Sequence, residues 1–360
     1  MTKQSNKLDF SGQNIYAGFD VHKKNWHVTI MSDELTLKTF TQDPKPLLLF
    51  QHLKSNYPGA TYHTAYEAGF CGYWIHNQLK ELGVNSIVVN PADIPTTHKE
   101  KVQKEDARDS RKIARSLRSG DLRPIHVPSL ITLEDRAMVR MRATLVKDMT
   151  RNKNRVKGFL HLHGIELAAC FEKSGSHWSN RFFEWLSQIE MSESSGKETL
   201  QLLVNTTKQL KASVAQVTKQ IRLMSKNNVY AENVKLLRSI PGIGLITAMT
   251  IITEVETITR FKNNDHFCSF IGLIPSTHSS GDHDGVGDIT SRGNKILRSA
   301  IVESAWTAAR LDPALVKSYH LYCQRMEPNK AIIRIAKKLA NRIIFVLKNK
   351  KPYEYSINKN

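Results

Sequence analysis

The stretch IYAGFDVHKKNWHVTI, residues 15–30, decides how the first third of the chain folds. It reads as two strands about a turn at His22 to Asn25, with Asp20 near the end of the first strand. Working outward, a second apolar strand covers roughly 61–66 and ends at Glu67, followed by Gly69 and Gly72. A helix over about 74–82 leads to an apolar run at 86–89 that Asn90 and Pro91 close. Strands and helices alternate, which predicts an α/β domain with a covered, mixed sheet. After a polar loop, residues 106–117 are helical in pattern, and Pro124 and Pro128 end a first domain at 1–128.

Beyond this point the character changes. Met138, Met141, Leu145, Met149, Val156 and Leu160 recur at helical intervals with basic residues between them. Further on, Leu200, Leu203, Thr207, Leu210, Val214, Val217, Ile221 and Met224 form a heptad seam in which only Thr207 is polar. Residues 129–232 are therefore a helical, coiled-coil segment, pairing either within one chain or between two. The remainder, 233–360, holds LLRSIPGIGLITAMTIITEV (236–255), a polar Gly- and Ser-containing loop at 276–287, and basic helices to about 349.

The chain has 360 residues and a formal net charge of +19, from 52 Lys plus Arg against 33 Asp plus Glu. Residues 1–128 carry only +4, whereas 291–351 carry +11 and 136–157 carry +7. This positive charge predicts nucleic acid as partner and leaves the first domain its carboxylates. No run approaches the roughly 18 to 20 apolar residues of a membrane span, and the N-terminus lacks a signal-peptide pattern. A cytoplasmic protein with no membrane partner is the expectation. The four cysteines are far apart and read as buried free thiols, and the histidines show no zinc-ligand spacing.

Three constellations carry chemistry. Asp20 and Glu67 lie in or after apolar strands, and Asp106 and Asp109 share one face of a helix. Clustered carboxylates repel unless cations lie between them. Two Mg²⁺ ions would supply that charge and promote phosphodiester cleavage, whereas Asp106 and Asp109 taken alone read more readily as solvated helix residues beside Lys104, Arg108 and Arg111. The turn SIPGIG (239–244) has helix-hairpin-helix chemistry, in which Gly242 and Gly244 let backbone N–H groups reach a DNA phosphate; an ordinary helix–helix turn reads as well. In the loop 275–285, Ser279 and Ser280 precede Gly281, and Arg292, Lys295 and Arg298 follow as residues that could neutralise a phosphate beside a nucleophilic serine; taken alone, such a Ser-Gly stretch reads more readily as a flexible loop.

Taken in order, YAGFDVHKKNWHVTI, YEAGFCGYWIHNQL (66–79), QKEDARDSRKIA (103–114), LLRSIPGIGLITAMTIITEV and FIGLIPSTHSSGDHDGVGDITSRGNKILRSAIVESAWTAAR (270–310) resemble the transposases of insertion-sequence family 110. These are prokaryotic DEDD recombinases guided by a noncoding bridge RNA. The resemblance covers nearly the whole chain, weakly over 160–230. It implies a RuvC-like, RNase H-type first domain, with Asp20, Glu67, Asp106 and Asp109 as the DEDD set holding Mg²⁺ (or Mn²⁺). The C-terminal part, 233–360, would be a mainly α transposase domain. There Ser280, or by a shift of one Ser279, would form a phosphoserine link to donor or target double-stranded DNA. It also implies a homodimer that assembles to a tetramer, with the two sites meeting between protomers. Ser110 stands where the family more often has alanine. A RuvC-like junction nuclease using water and a non-catalytic nucleic-acid-binding protein are the competing readings.

Overall fold

The computed structural model describes residues 9–95, 106–280 and 283–355, with the side chains of 106–107, 174 and 276–288 outside that description. The chain forms two compact units, 1–127 and 128–360.

In the first unit, β1 (Asn14–Val21) turns back into β2 (Trp26–Met31), as the 15–30 stretch predicts. With β3 (Thr36–Gln42), β4 (Thr61–Glu67) and β5 (Asn85–Val89) they form one sheet in the order β3-β2-β1-β4-β5. β1, β4 and β5 are mutually parallel neighbours, and the β1–β2 and β2–β3 pairs are antiparallel. Alternation along β1 assigns its two faces. Ile15, Ala17 and Phe19 join Trp26, Val28 and Ile30 in a core closed by Leu49 and Leu53 of helix α1 (Pro46–Asn56) and by Ile75 and Leu79 of α2 (Trp74–Glu81). On the other face α3 (Asp106–Arg118) packs Ile113 with Ala65, Val89, Ile94 and Leu122. The mixed sheet with helices on both faces is the RuvC-like α/β arrangement that the sequence leads one to expect. Strand β3 was not legible: TLKTFTQ is an edge strand whose residues are mostly exposed, so it lacks an apolar alternation.

The second unit is helical apart from one hairpin. Ser129 caps the 33-residue α4 (Leu130–Leu162) through the Thr132 N–H. After α5 (Asn180–Gln188), the 31-residue α6 (Ser194–Met224) returns antiparallel to α4. The Arg142 guanidinium donates to Thr218 Oγ1 at 2.8 Å near one end. Toward the other, Asn152 Nδ2 donates to Leu203 O and Thr207 Oγ1, both at 2.8 Å. The heptad seam is thus used within the chain: Leu200, Thr207 and Ile221 are buried, while Leu210, Val214 and Val217 are half-buried. At the far end Val156, Leu160, Leu200 and Val204 pack on Phe171, Phe182, Phe183 and Leu186.

The near end, at Val139 and Ile221, enters a core shared with α7 (Ala231–Arg238), α8 (Leu245–Val255), α9 (Asn264–Ile271), α10 (Lys295–Leu311), α11 (Pro313–Cys323) and α12 (Pro328–Asn349). This core runs without a break across residue 232. Helix α8 is buried at every position from Ala248 to Val255, which explains its nearly all-apolar sequence. The region expected as a polar loop instead pairs β6 (Pro275–Ser280) with β7 (His283–Ile289). Its small polar residues hide the alternation that usually betrays a strand. All four cysteines are free, but only Cys268 is buried and Cys170 is exposed, so the thiols do not share one environment.

Asn152 is 2% exposed and is the polar layer between the two apolar ends of the helical hairpin. Asn152→Ala leaves the Leu203 carbonyl and Thr207 hydroxyl short of a donor and should cost about 1–3 kcal/mol. Urea denaturation of the full chain checks this; an unchanged midpoint would show that the layer contributes no stability.

Candidate active site

Asp20 and Glu67 are brought together by strand register. β1 and β4 are parallel, with Gly18 opposite Ala65 and Phe19 opposite Tyr66, so Asp20 and Glu67 follow at the carboxyl ends of adjacent strands. Tyr66 belongs to the α1–α2 core and Ala65 to the α3 core, which puts Glu67 on the α3 face. Asp20 shares that face with Gly18. The carboxyl ends of parallel strands are where open α/β sheets place their ligands. Two histidines that sequence reading passed over flank Asp20. His22 Nε2 lies 3.2 Å from Asp20 Oδ2, and His27 stands opposite Asp20 in the β1–β2 register. His27 Nδ1 is also 3.1 Å from Thr41 Oγ1.

Helix α3 reaches this corner because Gly18 has no side chain. A Cβ there would lie 2.1 Å from Ala114 N and 2.7 Å from Ser110 O. Ser110 is fully buried, and its Oγ is 2.9 Å from Thr29 Oγ1, which in turn is 3.1 Å from Thr39 Oγ1. Hydroxyl to hydroxyl, the helix is tied to β2 and through it to β3. An alanine at 110 would leave Thr29 one partner fewer. Burial and the bond to Asp33 raise the Tyr16 pKa, and the Arg118 charge acts against them. The helix crosses β1 at Gly18, two residues before Asp20.

Asp109, half-buried, lies on the helix row of Ile113, beside β4 and β5, and accepts from Lys112 Nζ at 2.9 Å. Asp106 begins the helix one turn before Ser110, and its side chain lies outside the described residues. Among the described residues, no three of His, Cys, Asp and Glu form a group that could hold a metal ion.

The second unit holds the other sequence-predicted residues. Ser279 and Ser280 are the last residues of β6, where Ser280 pairs with His283; their side chains lie outside the described residues. The base of this hairpin is braced. Arg298 donates to Thr290 O at 2.6 Å and to Arg292 O at 3.1 Å, so its guanidinium is engaged by backbone carbonyls. Arg292 and Lys295 are exposed. Asn294 caps α10 through the Leu297 N–H, while its Nδ2 donates to Glu254 Oε2 at 2.7 Å.

Glu254, 2% exposed in helix α8, is a carboxylate that no motif or spacing marks out. Arg140 donates to both of its oxygens, at 2.7 and 2.8 Å, and the Arg136 Nε lies 3.9 Å away. Burial pushes the Glu254 carboxyl up, but hydrogen bonds from Arg140 and Asn294 and the charges of Arg140 and Arg136 more than offset it, so it titrates below the usual range.

The two glycines of the PGIG turn differ in kind. Gly242 has φ +87°, and a Cβ there would lie 2.4 Å from Ser304 O, so this glycine serves the approach of α10. Gly244 caps α8 without a side chain, and nothing lies within 4 Å of where its Cβ would be.

Comparison with known proteins supplies the family. Residues 17–165 match the DEDD transposases of IS110 type, described as Transposase, and residues 234–320 match the Transposase IS116/IS110/IS902 family. The chain carries two domains of IS110-type transposases. The "Putative transposase y4qE" of Sinorhizobium fredii is 31% identical over 67% of this chain and 57% of its own length. Transposases for insertion sequence elements IS1533 of Leptospira borgpetersenii and IS1111A of Coxiella burnetii are 28% and 25% identical. These two alignments cover 69% and 76% of this chain and 72% and 73% of those relatives. The first family match begins three residues before Asp20 and takes in β1, β4 and α3, the elements that build the carboxylate corner.

Two outcomes follow for this family member. Gly18→Ala should force α3 off the sheet, costing roughly 1–3 kcal/mol by overpacking and lowering DNA cleavage at least tenfold. Cleavage at the wild-type rate would show that the close approach does not position the site. For Glu254 the folded-state pKa is depressed, so its contribution is present above the ordinary Glu value of roughly 4.3 and is lost as pH falls below it. Glu254→Gln should therefore lower the thermal midpoint at pH 7 and flatten its dependence on pH between about 5 and 3, as read by circular dichroism; an unchanged slope would remove Glu254 from the acid response.

Proposed function

We propose that this IS110-family transposase is a magnesium-dependent DNA recombinase that cleaves and exchanges strands through a phosphoserine intermediate. The observation that supports this reading is the placement of Asp20 and Glu67 at the carboxyl ends of adjacent parallel strands, with α3 packed against β1 at Gly18. Asp20, Glu67, Asp106 and Asp109 are the residues that would hold divalent metal, and an all-oxygen carboxylate set suits a hard cation such as Mg²⁺. Bound there, the ions would neutralise the phosphate and polarise the scissile bond. Manganese would serve the same donor set.

The nucleophile is assigned to Ser280. Its Oγ attacks the phosphorus of one strand, forming an Oγ–P bond as the bond from phosphorus to the leaving deoxyribose oxygen breaks. The serine gives up its proton, and the leaving oxygen ends as a hydroxyl. One phosphodiester replaces another, so the link can be reversed onto a different strand end without an external energy source. Braced as it is by Arg298 and by Asn294 on Glu254, the base of the β6–β7 hairpin supports a fixed presentation of the serine strand.

Two partners complete the proposal. A noncoding bridge RNA would choose donor and target DNA by base pairing, leaving the protein to read backbone shape and charge. Protomers would assemble as a dimer and then a tetramer. Because α4 and α6 bury Leu200, Thr207 and Ile221 within one chain, that assembly draws on surfaces outside these positions. Among the described residues no helix is long and apolar enough to cross a membrane.

With DNA and Mg²⁺, the wild-type chain should yield a covalent protein–DNA adduct. Ser280→Ala should abolish it while DNA binding persists, and Ser279→Ala should retain it. Free DNA ends without attached protein would instead favour a water-using nuclease. An adduct that survives Ser280→Ala and disappears with Ser279→Ala would move the nucleophile by one residue. Sequencing the RNA that copurifies, and matching it to DNA flanking the gene, tests the guide; no enriched RNA would remove it.

A further inference from the structure

The end of α6, helix α7 and the first turn of α8 enclose a groove of about 890 Å³. Arg222 and Lys226 line it from the α6 side, and Lys235 and Arg238 from α7. All four are exposed, and no acidic side chain lines the groove. Like charges held around one concavity repel, and the low-dielectric wall weakens their screening, so the groove favours a polyanion.

A second feature points into the same place. Leu245, the first residue of α8, lines the groove. The cap of that helix is Gly244, which supplies no side-chain acceptor, and its first turn contains no acidic residue. The leading N–H groups of α8 have no intrahelical partner, and they form the positive end of the helix dipole. Open space over Gly244 leaves room for a phosphate oxygen to approach them.

Spacing and composition select the ligand. Arg222 and Lys226 are one helical turn apart, and Lys235 and Arg238 nearly so, giving about 5 Å steps along each helix. That suits successive charges of a sugar–phosphate chain better than one isolated anion. The groove has no aromatic lining on which an unpaired base would stack, as single-strand sites do.

We propose that this groove binds the phosphodiester backbone of duplex DNA. Arg222, Lys226, Lys235 and Arg238 neutralise phosphates, and the N–H groups at the start of α8 hold one phosphate oxygen. The site rests on the reading of the chain as a DNA transposase and adds to it a backbone clamp separate from the residues that cleave.

The test measures binding of the full chain to a labelled 30-base-pair duplex across a salt series. Each lost phosphate contact should reduce the slope of log affinity against log salt by about 0.9. Lys235→Ala with Arg238→Ala should thus flatten it by nearly 2 and weaken binding at least tenfold at low salt. Gly244→Asp is the companion variant. Aspartate is a good helix cap, so the thermal midpoint should hold or rise while DNA affinity falls at least tenfold. Unchanged affinity and slope in both variants, with wild type binding DNA normally, would overturn the groove and leave the transposase reading standing. So would a loss seen only with RNA while duplex DNA binding is intact. A wild-type chain that binds no DNA under any salt condition would overturn the transposase reading and the groove with it.

Discussion

A strand that ends in a carboxylate and also carries a helix across its middle must leave room for that helix, and β1 does so at Gly18. The α3 backbone comes so close there that a single methyl group would collide with Ala114 N and Ser110 O. Everything proposed for the first unit depends on this approach. It seats α3 against β1, the strand that carries Asp20. The buried Thr29–Ser110 hydroxyl pair gives the contact a direction that apolar packing alone would lack.

The second unit meets a related problem with charge inside rather than at an edge. Glu254 sits in a helix buried along its length, where an isolated carboxylate would be very costly. Its partners come from two parts of the chain: Arg136 and Arg140 from α4, and Asn294 from the cap of α10. Removing one partner leaves the rest of the group poorly satisfied, so the network couples the long helical hairpin to the segment that follows the serine strand. Arg298 works toward the same end by holding the carbonyls at the hairpin base.

Glycine has opposite uses only two residues apart in the PGIG turn. Gly242 is packed against α10 and adopts a left-handed conformation, so its lack of a side chain serves the fold. At Gly244 the backbone is ordinary and the space is open, so the fold imposes no such requirement. A helix start without a side-chain cap beside four exposed cations forgoes a little local stability in favour of an anion-binding face.

Much of this was legible in the sequence. The 15–30 stretch specified two strands and their turn, because apolar residues buried on one face must recur at the strand period. The order of strands and helices announced an α/β unit, the seam at 200–224 announced a packed helix, and the five ordered motifs announced the family. Other features were hidden for definite reasons. Strand β3 is an exposed edge, and the β6–β7 hairpin is made of small polar residues, so neither shows a hydrophobic period. Whether the seam pairs within a chain or between chains is not written in a heptad, since either partner offers the same apolar surface; α4 decided it. Gly18 and Glu254 are single letters whose meaning comes from residues about a hundred positions away. Local sequence determines which face of an element is buried, but what that face meets is a long-range contact, and only the tertiary structure supplies it.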